Sequence, residues 1–269
     1  MSDAPQGSPF SGRFRETAIV LHHDRELADA VPEDRREQAA RASVAQVLRA
    51  RRGPWDARSV ADRSHGGHGF LVLDGLLVRR VGIGDRYAAE LLGPGDLLRP
   101  LEHDGEEATL PFASGWRVLE PLSLAVLDRR WSARMSPFPE VGVGITGRAM
   151  LRSRRLANMF LITSYPHLEE RLLLLMWELA DRYGTVRRDG VHVPLPVTHQ
   201  VLSELAAARR PSVSGALSRL SGTGALTRAD DGWVLSGEPP GSLTAGGHVL
   251  GVPPGADETE EDPDGAWQT

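Results

Sequence analysis

The stretch "AAARRPSVSGALSRL" (206–220) constrains this chain more than any other. A proline inside a helix removes a backbone hydrogen bond and costs about 3 kcal/mol, whereas in the first helical turn its missing N–H costs nothing. Pro211 therefore marks where a helix begins. The reading is two helices, 198–207 and 210–221, joined by a tight turn. Thr198 is a side-chain N-cap for the first, and Val201, Leu202 and Leu205 share one side of it. Val213, Ala216, Leu217 and Leu220 recur at helical spacing and turn the second helix inward. Arg210, Ser212, Ser214 and Gly215 are left outward. "SGTGAL" then forms a glycine-bearing turn, and "LTRADDGWVLSG" a two-stranded wing that reverses at Asp231-Gly232.

Helix, short turn, helix and wing can set the start of the second helix into the major groove of DNA. Small residues at Ser212, Ser214 and Gly215 let that helix approach base edges closely. An arginine at its start suits a bidentate bond to guanine O6 and N7. Thr198, His199 and Gln200 begin the preceding helix and suit phosphate contacts. The candidate DNA-binding residues are thus Thr198, His199, Gln200, Arg209, Arg210, Ser212, Ser214 and Arg219, with double-stranded DNA the expected partner. Residues 194–237 hold four arginines against three acids. Affinity is expected to rest on the placement of Arg209, Arg210, Arg219 and Arg228, not on a broadly basic domain.

The rest of the chain divides by texture. Residues 1–42 read as a polar leader with a short helix interrupted near Pro32. Residues 43–136 alternate short β-prone runs with Gly, Pro and Asp turns, which indicates a β-sandwich or barrel. Asp74-Gly75, inside "FLVLDGLLV", is a tight-turn or bulge signal. Residues 137–184 are helical. Ile145, Ala149, Leu156, Met159 and Phe160 form an apolar stripe along 139–164, with Arg148, Arg152, Arg154 and Arg155 elsewhere on that helix's surface. Pro166 forces a break, and 167–184 form a second, more apolar helix ending at Gly184. "VRRDGVHVPLP" (186–196) is a short hairpin or extended linker. Residues 238–269 read as a disordered tail whose segment "DETEEDPD" carries six acids.

That tail accounts for the charge. The whole chain sits at −5; without those six acids it would be at +1. All 31 basic residues are arginine, and there is no cysteine. Disulfides, thiolate-held clusters and thiol chemistry are excluded. No apolar run is long enough to span a bilayer and no signal pattern opens the chain, so a cytoplasmic location is expected. No nucleophile elbow, P-loop or dinucleotide fingerprint is present, so neither an enzymatic role nor a cofactor is expected.

The quoted motifs carry a family resemblance. "THQVLSELAAARRPSVSGALSRLSGTGAL" resembles, without a gap, the helix-turn-helix of the Crp/Fnr regulators. "FLVLDGLLV" is similar to that family's strand–glycine–strand, and "LLGPGDLL" to its glycine-aspartate turn. The resemblance covers roughly 43–237. It implies an α+β chain with an N-terminal cyclic-nucleotide-binding-like β-roll at 43–136, a dimerisation helix and its follower at 137–184, and a winged helix-turn-helix at 194–237. It further implies a transcription-regulating homodimer paired through Ile145, Ala149, Arg152, Leu156, Met159 and Phe160, with RNA polymerase a candidate partner. Arg210 falls on the family's base-reading arginine. Pro211 stands where many members have a base-contacting glutamate, and Gly215 where they have an arginine. Ala207 occupies a turn position usually held by glycine, a mild strain if φ there is positive. The phosphate cassette of cyclic-nucleotide binders is absent, so no response to cAMP is expected. Arg99, near the place of its glutamate, either holds the anion of an unknown effector or braces the fold.

One rival reading is a cupin-like β-barrel, a metal-dependent enzyme or sensor built on His65, His68 and His103. The His-x-x-His spacing and the missing glutamate count against it.

Overall fold

The computed structural model describes residues 16–84, 86–100 and 112–240. His103, the start of the leader and the acidic run 257–264 lie outside the described residues. In chain order the elements are β1 (Thr17–Ile19), α1 (Val20–His23), α2 (Arg25–Asp29), α3 (Glu33–Ala42), β2 (Val44–Ala50), β3 (Gly53–Trp55), a 3₁₀ helix (Ala57–Ser64), β4 (Gly69–Ile83), β5 (Arg86–Leu92), β6 (Leu97–Leu98) and β7 (Ala113–Leu127). There follow α4 (Arg129–Met135), α5 (Pro139–Ser164), α6 (Leu168–Tyr183), β8 (Thr185–Arg187), β9 (Gly190–Val193), α7 (His199–Leu205), α8 (Arg210–Gly222), β10 (Leu226–Ala229) and β11 (Gly232–Leu235). Pro32 separates α2 from α3, as its ring requires.

β4 and β7 form the spine of the first sheet. Its order is β1-β2-β7-β4-β5, with β3 added on β7 and β6 on β4, all antiparallel. Side chains alternate across a strand. Phe70, Val72, Leu124 and Val126 fill the interior with Trp55, Leu77 and Leu98. Leu71, Ala125 and Leu127 point the other way, against Leu27, Trp131, Phe138 and Val141 from the flanking helices. Both faces of the spine are covered, so "FLVL" and "LSLAVL" read as continuous apolar runs. Asp74-Gly75 is a bulge within one 15-residue strand, where the register to β7 shifts. Gly75 has φ +91°, and a Cβ there would lie 2.2 Å from the Pro121 carbonyl oxygen.

α5 runs 26 residues, about 39 Å. Its arginines are not scattered. Arg148, Arg152 and Arg155 lie on the face turned to the β-roll. Arg148 pairs with Asp24 and Glu26, Arg152 with Glu90, and Arg155 with Asp96. Asp96, in the "GPGD" turn, also receives Arg182 of α6 at 2.7 Å and the Gly93 amide at 2.8 Å. This ladder, spread along one side of α5 at 148, 152 and 155, fixes which side faces inward.

Two of the residues expected at a pairing face are engaged within this chain. Ile145 is only 3% exposed and belongs to the protomer's own core. Arg152 is held by Glu90 and the Leu97 carbonyl. The uncovered apolar side carries Val143, Met150 and Leu161, which are 73%, 69% and 59% exposed. Phe160 and Leu156 flank it, at 79% and 44%.

The third core joins α6, α7 and α8 through Leu172, Leu175, Leu202, Leu217 and Leu220. Leu76 and Val78 of β4 and Leu119 of β7 belong to the same core. The C-terminal unit is therefore packed onto the β-roll directly, not merely tethered to it. The segment 186–196, expected to be a short hairpin or an extended linker, forms the hairpin of β8 and β9. With β10 and β11 they make a four-stranded sheet in the order β10-β11-β9-β8, larger than the expected two-stranded wing. The wing turn is Asp230-Asp231, and Gly232 is already in β11. A Cβ on Gly232 would lie 2.1 Å from the Val193 carbonyl oxygen, a contact created by this added strand.

Candidate nucleic-acid interface

Thr198 caps α7, its hydroxyl accepting from the Val201 amide at 3.3 Å. α7 ends at Leu205 and α8 begins at Arg210, so three residues make the turn proper, with Ala206 as the α7 C-cap. Ala207 has φ +48°, the sole left-handed non-glycine residue among those described. Arg171 of α6 donates to the Ala206 carbonyl at 3.0 Å, satisfying one of the acceptors left over at the α7 C-terminus. Pro211 sits in the first turn of α8, and Arg209 is the residue before the helix.

Val213, Ala216, Leu217 and Leu220 are buried. At 100° per residue the centre of the opposite face is Pro211, Gly215, Ser218 and Gly222. Ser218 escaped the sequence reading, although the same periodicity predicts its exposure. This outward strip is small and uncharged, so the helix backbone can approach a partner closely.

The expected residues fall into two groups. Arg209, Arg210 and Ser212 are exposed at the start of α8. Neither arginine has a hydrogen-bonding or ion-pair partner among the described residues. The others have protein partners. His199 Nδ1 lies 3.0 Å from the Ser214 hydroxyl, and its ring is 6.1 Å from that of Trp233. Gln200 donates its amide to Glu204 at 2.8 Å. Arg219 is paired with Glu169 of α6. Arg228 donates to the Val197 carbonyl at 3.1 Å and lies over Trp233. Of the four arginines in 194–237, Arg209 and Arg210 are thus the two without a partner among the described residues, and Arg187 and Arg188 at the β8–β9 turn are exposed as well.

Arg99 lies in the β-roll half. It donates to the Gly67 carbonyl at 2.9 Å, which braces the loop before β4. It also lines a cavity of about 540 Å³ between the sheet and α5, with His68, Arg79, Trp116 and Arg152. Burial and then the Arg99 charge hold the His68 imidazole below the usual histidine pKa. Among the described residues no group of three or more His, Asp or Glu could hold a metal ion.

Residues 170–236 match the family model described as a Crp-like helix-turn-helix domain. That span holds α7, α8 and the whole four-stranded sheet. The chain carries a Crp-like helix-turn-helix domain. An HTH-type transcriptional regulator of Porphyra purpurea, ycf28, is 26% identical over 83 residues, covering 31% of this chain and 35% of its own. The chain thus matches about a third of that curated relative's length. Solved structures show that the Crp/Fnr-type fold extends over the β-roll as well. A CooA variant from Carboxydothermus hydrogenoformans superposes with TM-score 0.53 at 14% identity, covering 74% of this chain and 86% of the other. A cyclic nucleotide-binding domain containing protein from Listeria monocytogenes EGD-e gives TM-score 0.53 at 16% identity, covering 70% and 88%. No helix among the described residues is long and apolar enough to cross a membrane.

Proposed function

We propose that this Crp/Fnr-type chain is a sequence-specific, DNA-binding transcription regulator that works as a homodimer, and is not an enzyme. The observation that carries the reading is the coincidence of two features. The Crp-like helix-turn-helix domain covers α7 and α8, and the exposed start of α8 carries the two unpaired arginines, Arg209 and Arg210. Arg210 serves as base reader, with Ser212 and Ser214 beside it. Thr198, His199 and Gln200 face the backbone, and Arg209 and Arg219 add positive charge. Pro211 and Gly215 offer no side-chain hydrogen bond to a base, so discrimination rests on few contacts.

The unpartnered face of α5 supports pairing of two copies. Val143, Met150 and Ala157 recur every seven residues, and Gly147, Arg154 and Leu161 interleave with them, the spacing of a two-helix seam. Ala149, Leu156, Met159 and Phe160 then border the seam. A two-fold pair would present two α8 helices to half-sites about one DNA turn apart.

The cavity lined by His68, Arg79, Arg99 and Arg152 is suited to an anionic effector, whose identity is open. The cAMP cassette is missing from the sequence. The location is cytoplasmic, and RNA polymerase is the expected downstream partner.

The test is selection of bound sequences from random duplex DNA. The expected result is an inverted repeat with half-sites one helical turn apart, whose enrichment Arg210→Ala abolishes. Absence of any enriched half-site overturns the reading.

A further inference from the structure

The start of α8 does not stand alone. A groove of about 680 Å³ runs between it and the hairpin joining β4 to β5. One wall carries Gln200, Ser203, Arg209 and Arg210. The other carries Arg86 and Tyr87 of β5. Among the described residues, three arginines line the groove and no acidic residue does. None of the three has a hydrogen-bonding or ion-pair partner among the described residues.

The two walls are held in register. Arg80 of β4 forks onto Glu204 of α7, and the Arg80 guanidinium also lies 5.6 Å from the centre of the Tyr87 ring. Glu204 in turn accepts from Gln200. The line Gln200–Glu204–Arg80–Tyr87 ties the first helix of the reading motif to the β-roll hairpin. Arg86 is thereby placed beside Arg209 and Arg210 through a buried carboxylate. Like charges brought together without a counter-ion repel one another, and such a cluster is stabilised by an anion that fits between them. Arg209, Arg210, Pro211 and Ser212 all stay exposed, so the hairpin flanks the start of α8 and does not cover it.

We propose that the β4–β5 hairpin is part of the nucleic-acid interface: Arg86 grips a backbone phosphate of the duplex that Arg209 and Arg210 engage. This rests on the DNA-binding reading. It goes beyond the helix-turn-helix by making the β-roll a direct contact with DNA. Contact of this kind carries no sequence information. It raises affinity for every duplex, and it couples the sheet's position to DNA binding.

The experiment measures affinity of the full chain for its selected duplex and for an unrelated duplex, over a salt series from 0.1 to 1 M. Each phosphate contact contributes about 0.9 to the slope of log K against log salt. Arg86→Ala is expected to lower that slope by about 0.9 for both duplexes, an affinity loss of about eightfold at 0.1 M that vanishes toward 1 M. Arg86→Lys retains the slope. An unchanged slope in Arg86→Ala, while the wild type binds, overturns the hairpin's role and leaves the DNA-binding reading standing. Tighter binding by Arg86→Ala also overturns it, by showing that the hairpin obstructs the helix. A wild type that binds no duplex overturns both readings. Inorganic phosphate, titrated against the bound duplex at constant ionic strength, separates the two sources of phosphate. Weak competition at tens of millimolar is expected of a DNA site, whereas displacement at micromolar phosphate means the groove holds a small anion and overturns the proposal.

Discussion

Arg80 of β4 and Glu204 of α7, 124 residues apart, meet in a forked ion pair across the boundary between the β-roll and the reading unit. Glu204 is 1% exposed, and the Arg80 side chain is a third exposed. A carboxylate so buried is tolerated because the guanidinium and the Gln200 amide both reach it.

Arg80→Ala strands that carboxylate. The expected cost is about 3 kcal/mol, at the low end for breaking a buried pair because Arg80 is partly solvated. Urea unfolding measures it. The double replacement Arg80→Met with Glu204→Leu is expected to recover most of the loss, since no buried charge is then left alone. A single variant as stable as wild type would show that the clamp is not closed in solution.

Ala207 holds a left-handed turn that favours glycine. For an L-residue that conformation costs roughly 1–2 kcal/mol, part of which a glycine's larger unfolded-state entropy takes back. Ala207→Gly is therefore expected to stabilise the chain by about 1 kcal/mol, visible as a rise in Tm. A fall in Tm would place Ala207 in another conformation.

Tyr183 is partly buried at the junction of β5, α5 and α6, and its hydroxyl is buried with no partner among the described residues. Burial pushes its pKa up to about 12. The unfolded chain therefore ionises first, near pH 10. The stability tied to the neutral phenol is complete below pH 10 and is lost as pH rises toward 12. Tyr183→Phe removes an unsatisfied polar atom and is expected to match or exceed wild-type stability. It is also expected to flatten the alkaline limb of a stability–pH curve. An unaltered limb would refute the assignment.

Met150 lies at the middle of the exposed α5 face. Met150→Asp places two carboxylates opposite each other in a paired seam. Sedimentation velocity is expected to show a monomer, with a parallel loss of affinity for an inverted-repeat duplex. Ile145→Ala, by contrast, acts inside the protomer core. It is expected to cost about 2–4 kcal/mol in stability without favouring the monomer among folded molecules. A dimer that survives Met150→Asp would place the seam elsewhere.

The helices from 139 onward, the proline boundaries, the Thr198 cap and the inward residues of α8 were legible in the sequence, whereas the 3₁₀ helix Ala57–Ser64 and α4 were not. The legible features follow from local rules: periodicity, capping and the missing N–H of proline. The β-rich texture of 43–136 was legible for the same reason. What the sequence could not show is which charges meet. Arg152 and Glu90, Arg155 and Asp96, and Arg219 and Glu169 are joined only when the chain folds, so their arginines looked equally available. The inward side of α5 was not legible because apolar periodicity there is weak, and three arginines take the place of an apolar stripe against the β-roll. Local chemistry determined where this protein's reading helix begins. Only the tertiary structure decided that Arg209 and Arg210 remain unpaired beside Arg86, because ion pairing depends on distances that sequence separation does not encode.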